Sequence, residues 1–138
     1  MTFVPSNPHN VPVSETKRFT SQLRLDEFSS ALQGFTRDRR GRVSTHSSPF
    51  IASFGSRAAM RFFGVNMKAG RARLPFLLRA DLQPSEGAAI VTLNLESDEG
   101  YYAFGRLAVM DIAYQELFSH LVAELEIVLN GKEVDSEL

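Results

Sequence analysis

LPFLLRADLQPSEGAAIVTLNL, residues 74–95, contains two apolar runs separated by a proline, a serine and a glycine. In the first run Leu74, Phe76, Leu78, Ala80 and Leu82 fall on one parity, the period of a strand with one buried face. The second run, AAIVTLNL, reads as another strand, and QPSEG between them has turn chemistry. The link is too short for a helical crossover, so the pair predicts an antiparallel meander.

Working upstream, residues 46–56 (HSSPFIASFGS) predict a further strand, with VNMKAGRAR as a turn-rich connection. In FGSRAAMRFFGV, residues 54–65, strand geometry puts Phe54, Met60 and Phe62 on one face and Arg57 and Arg61 on the other. A short helix over residues 56–63 is the alternative. Earlier still, residues 16–25 alternate: Phe19, Ser21, Leu23 and Leu25 oppose Arg18, Thr20, Gln22 and Arg24, predicting a first strand. The period then lengthens, with Leu25, Phe28, Ala31, Leu32 and Phe35 at helical spacing. Asp26 and Glu27 lie in the first turn and Arg37, Arg39 and Arg40 at the far end, so a short helix ends before Gly41.

Downstream, SDEG is a turn and YYAFGRLAV is one more strand or an aromatic lead into the last element. Met110, Ala113, Tyr114, Leu117, Phe118, Leu121, Leu125 and Val128 then form one stripe at 3.6-residue spacing, a long helix ending before Asn130 and Gly131. The expected organisation is a flexible arm over residues 1–13, one α+β domain over 14–131, and a frayed acidic tail over 132–138.

At 138 residues, 43% hydrophobic and 22% charged, the chain has the size and composition of one globular domain. There is no cysteine, which excludes disulfides, thiolate ligands and a cysteine nucleophile. The start of the chain lacks a signal-peptide pattern and no segment is apolar enough to span a membrane, so a cytoplasmic location is expected. Net charge is −1, but residues 37–79 carry ten basic residues against one acidic, and residues 80–138 carry twelve acidic against two basic. Such asymmetry can mark a nucleic-acid or membrane surface, and the reading preferred for a chain with no net positive field is a basic sheet face and an acidic helix face of one domain.

Motifs that carry chemistry are few. His9, His46 and His120 are the only histidines, and none has a second ligand at i, i+4, so no metal or cofactor is expected. Dinucleotide, P-loop and hydrolase-elbow signatures are absent from the sequence, and no catalytic residue is assigned. Paired carboxylates such as Asp98 and Glu99 read as solvated surface, and Asp81 as one half of an ion pair with Arg57 or Arg61. Arginines interleaved with phenylalanines suggest an RNA-binding sheet. The element order differs from that of an RRM, and Phe54, Phe62 and Phe76 lie on the apolar parity, so nucleic acid is not the expected partner.

The order strand, short helix, antiparallel strands, long closing helix resembles the helix-grip fold of the START-like (SRPBCC) superfamily, which includes Bet v 1-like and polyketide cyclase-type domains. The resemblance rests on TKRFTSQLRL and DEFSSALQGF, on the strands from HSSPFIASFGS to AAIVTLNL, and on MDIAYQELFSHLVAELEIVL. It implies an antiparallel sheet of five to six strands in the order β-α-β(4–5)-α, gripping an apolar or amphipathic small molecule against the last helix. The lining expected is Met60, Phe62, Phe76, Leu78, Tyr102, Phe104, Phe118 and Leu121, with Arg57 or Arg61 at the rim to meet an anionic head group. Such a site requires a cavity of roughly 300 Å³ or more. The alternative is a solid core and a protein-interaction or homo-oligomerisation module.

Overall fold

The alternation over residues 76–97 is the backbone of the molecule. β4 (Phe76–Ser85) and β5 (Ala88–Ser97) pair antiparallel. Their two-residue turn closes on Gly87, whose φ of 71° is the left-handed region that glycine adopts without strain. Along β5 every second residue from Ala89 to Ser97 is buried. Opposite them Phe76, Leu78 and Ala80 of β4 are buried too, so one face of the pair is dry.

The computed structural model describes residues 12–56, 74–98 and 108–133. In chain order the elements are β1 (Ser14–Ser21), α1 (Leu25–Asp38), β2 (Arg42–His46), β3 (Phe50–Phe54), β4, β5, α2 (Ala108–Val128) and β6 (Gly131–Glu133). The strands form one antiparallel sheet in the order β2-β3-β4-β5-β1-β6. The fold is α+β, with the long C-terminal helix packed on the sheet, as the sequence predicts.

Both helices cover the same face. α1 lies over β2 and β3, α2 over β1, β5 and β6, and the two helices touch. Phe28, Leu32 and Phe35 of α1 join Tyr114, Phe118, Leu121 and Leu125 of α2 in a single core with the inward residues of the sheet. Each such fully buried side chain contributes about 1.5–3 kcal/mol. The opposite face is mixed: half-buried Ile51, Leu77 and Ile90 stand among polar side chains, and Asn94 Nδ2 donates to Thr16 Oγ1 across β5 and β1 at 2.9 Å.

Four of the expected boundaries move. The first strand spans residues 14–21 rather than 16–25. Ser21 Oγ accepts from Leu23 N at 3.1 Å and donates to Leu129 O at 2.7 Å, and the next residues turn into α1, where Glu27 Oε1 accepts from Arg24 N at 2.8 Å. Leu25 therefore opens a helix and is 45% exposed. Residues 46–56 are not one strand, because Ser47, Ser48 and Pro49 turn the chain between β2 and β3, and proline has no N–H for a ladder. The expected tail begins instead as β6, paired to β1 with Ser21 opposite Gly131. Asp81 pairs with Arg79 of its own strand at 3.1 Å, while a pairing with Arg57 or Arg61 lies outside the described residues, as do residues 1–11 and 134–138. Val13, assigned to the arm, is tied in by two bonds with Ser97: Ser97 N donates to Val13 O, and Val13 N to Ser97 Oγ.

Candidate functional site

α1 ends in a Schellman motif: Gly41 N donates to Thr36 O at 2.8 Å and Arg40 N to Arg37 O at 3.0 Å, with Arg40 at φ 58°. This reversal sends β2 back along the sheet and leaves Arg39 leaning toward α2. Its guanidinium carbon stands 4.2 Å from the Phe35 ring centroid, and the group pairs with Glu124 of α2. Arg39 is thus a strut between the C-terminal end of α1 and the last third of α2.

Beneath that strut runs a chain of aromatic rings. Phe35 meets Phe54 edge-on at 6.0 Å, Phe54 stacks on Phe76 at 4.7 Å, Phe76 meets Phe118 edge-on at 5.7 Å, and Phe118 lies 5.5 Å from Tyr114. The rings therefore pass from α1 through β3 and β4 to α2. The buried Tyr114 hydroxyl donates to Pro75 O at 2.8 Å, which also accepts from Asp98 N at 2.9 Å. These bonds fix α2 to the start of β4 and the end of β5.

The packing is incomplete at this end of the sheet. A cavity of about 290 Å³ is lined by Arg39, Phe54, Gly55, Leu74, Phe76, Leu117 and Leu121. Among these described residues five carry large apolar side chains and one is a cation. The volume stands at the lower limit of small-molecule sites and equals the liquid volume of roughly ten water molecules. Beside it, around the ends of β3 and β4, a polar groove of about 450 Å³ is lined by Arg42, Ser53, Phe54, Gly55, Ser56, Pro75 and Asp98. The two hollows share Phe54 and Gly55.

Of the residues expected to line a pocket, Phe76 and Leu121 do so. Phe118 is fully buried and lies behind Phe76. Leu78 is fully buried between Ala52 and Leu95 in the sheet and does not reach the cavity. Arg57, Met60, Arg61, Phe62, Tyr102 and Phe104 lie outside the described residues. The lining also includes Arg39, Phe54, Gly55, Leu74 and Leu117, which the sequence reading assigned to helix end, strand faces or helix stripe. Parity and period place Phe54, Leu74 and Leu117 on the inward faces, whereas Gly55 falls on the opposite parity from Phe54 and Arg39 has only its place at the helix end; which faces fail to meet depends on the ends of separate elements.

The pair with shifted titration lies elsewhere. Asp26 is held below its usual carboxylate range by the hydrogen bond from Arg24, whose own pKa rises for the same reason. Both are in the opening turn of α1, about 20 Å along the helix from Arg39. Their role is to favour the start of that helix. Among the described residues no group of His, Asp and Glu is placed to hold a metal ion, and no helix is long and apolar enough to cross a membrane. No family model, curated protein or solved structure matches the chain.

Proposed function

We propose that the protein is a small-molecule binding module of START-like type, taking an apolar or amphipathic ligand between the sheet and α2. The observation that carries this reading is the 290 Å³ cavity under the Arg39–Glu124 strut, walled by Phe54, Leu74, Phe76, Leu117 and Leu121. A void of this size, lined by carbon and open beside a cation, suits a compact apolar chain that ends in a polar group. Among the described residues of the cavity wall none forms the acid, base or nucleophile pairing that a reaction needs, and binding is the reading we adopt.

Leu117→Trp tests it. Leu117 is half-buried on α2 and lines the cavity, so an indole there fills the void without invading the centre of the core. The chain has no tryptophan, and the new side chain doubles as a fluorescence reporter. Native mass spectrometry of the purified full-length chain is expected to show a fraction carrying added mass of small-molecule size, and Leu117→Trp to lose it while keeping the wild-type Tm within a few degrees. A wild-type chain that carries no added mass and takes up neither octanol nor octanoate contradicts the reading and favours a module that acts through its surface.

A further inference from the structure

The apolar cavity is continuous in its lining with the polar groove through Phe54 and Gly55, and the groove is not electrically neutral along its length. Arg42 stands at one end, on the edge strand β2 and directly across from Ser53 of β3. Asp98 stands at the other, just after β5. Two strands lie between β2 and β5, which separates the two charges by roughly 14 Å.

Arg39 and Arg42 differ in availability. Arg39 is already engaged, paired with Glu124 and stacked over Phe35. Arg42 is exposed and makes no ion pair among the described residues. Arg37 and Arg40 lie in the same reversal at the end of α1 and are exposed as well. Among the described residues the β2 side of the groove therefore carries three exposed arginines against Asp38, and the one that lines the groove without an ion pair is Arg42, whose guanidinium geometry matches a carboxylate.

From this we infer that the ligand is an anionic amphiphile, an acyl chain of about ten non-hydrogen atoms whose tail fills the cavity and whose carboxylate is read by Arg42 in the groove. The inference rests on the binding reading above and adds to it the class of ligand and the residue that selects it. Ser53, opposite Arg42, supplies a hydroxyl that can share the carboxylate.

The test is a titration of the full-length chain at neutral pH and low salt, followed by amide NMR, with octanoate, octanol and octylammonium as probes. The wild-type protein is expected to bind octanoate about fivefold more tightly than octanol, and octylammonium least tightly. Arg42→Gln is expected to leave octanol binding unchanged and to equalise the acid and the alcohol. Added salt is expected to erode the octanoate advantage of the wild-type chain, as for any half-exposed charge pair. Leu117→Trp is expected to abolish binding of all three. Equal affinity for acid and alcohol in the wild-type chain, or full preference for the acid in Arg42→Gln, overturns the role of Arg42 and leaves the cavity reading standing. Octanoate that still binds Leu117→Trp is held outside the cavity and overturns the proposed pose. If neither octanoate nor octanol binds the wild-type chain, both readings fall.

Discussion

Two glycines show how single atoms set the site. A Cβ on Gly41 would lie 2.7 Å from Phe54 Cε2 and 2.8 Å from Thr36 Cγ2, and one on Gly131 would lie 2.4 Å from Phe19 Cδ1. Each glycine follows a non-glycine residue at positive φ, Arg40 at 58° and Asn130 at 53°. At both helix ends the absent side chain is thus used for close approach to a core phenylalanine, and the left-handed residue is left to carry its own strain. Gly41→Ala is expected to destabilise by about 1–3 kcal/mol, because the new Cβ overlaps Phe54 and Thr36 and pushes the Phe54 ring off its contacts with Phe35 and Phe76. Gly34→Ala is the control. Its Cβ would meet only Arg37 Nη2 at 3.7 Å, inside a helix, so it is expected to stabilise by about 0.5–1 kcal/mol. Arg40→Gly is expected to stabilise by a similar amount, about 0.5–1 kcal/mol, by relieving the left-handed backbone. Urea unfolding of the three variants checks all the signs at once.

At the scale of elements, the joints matter more than the strands and helices they connect. Ser21 closes β1 by donating to Leu129 O at the end of α2 and accepting from Leu23 N ahead of α1. One buried hydroxyl therefore links the first strand, the first helix and the last helix. Ser21→Ala is expected to cost about 1–3 kcal/mol, since it leaves buried backbone groups without their partner, with the loss read as a lower urea midpoint at unchanged slope. This scale also marks what the sequence makes legible. Residues 76–80, every second residue of β5 from Ala89, and the α2 stripe from Met110 to Leu125 follow one period each, and the structure buries the residues that period selects apart from Leu117, which is half-buried at the cavity. The β2–β3 hairpin is not legible in that way. Its strands are five residues each, too short for alternation to stand out, and β2 carries a register shift between Val43 and Thr45 that breaks its parity. β6 is shorter still, three residues, and is a strand only because β1 is there to pair with it.

For the whole molecule, the uneven charge of the sequence takes a concrete form. Arg39, from the basic stretch, meets Glu124, from the acidic one, and Arg37, Arg40 and Arg42 surround the same end of the sheet. The ion pair itself is half-exposed and contributes at most about 1 kcal/mol. Its consequence is positional: it spans the two helices above the cavity. The candidate site was legible only in part, because the wall is assembled from the last turn of α1, the tip of β3, the start of β4 and the middle of α2. Phe76 and Leu121 could be chosen from face and period, whereas the neighbourhood of Arg39 with Leu117 depends on how far α1 extends before its reversal. The central claim is that a ligand chain occupies the space between α2 and the sheet at that end, and methyl NMR of the full-length chain titrated with octanol tests it most directly. The account predicts saturable shifts of the Leu74, Leu117 and Leu121 methyls, with Leu93 and Leu129 unmoved. Shifts confined to Ile51, Leu77 and Ile90 on the open face, or none at all up to the solubility of octanol, would contradict it.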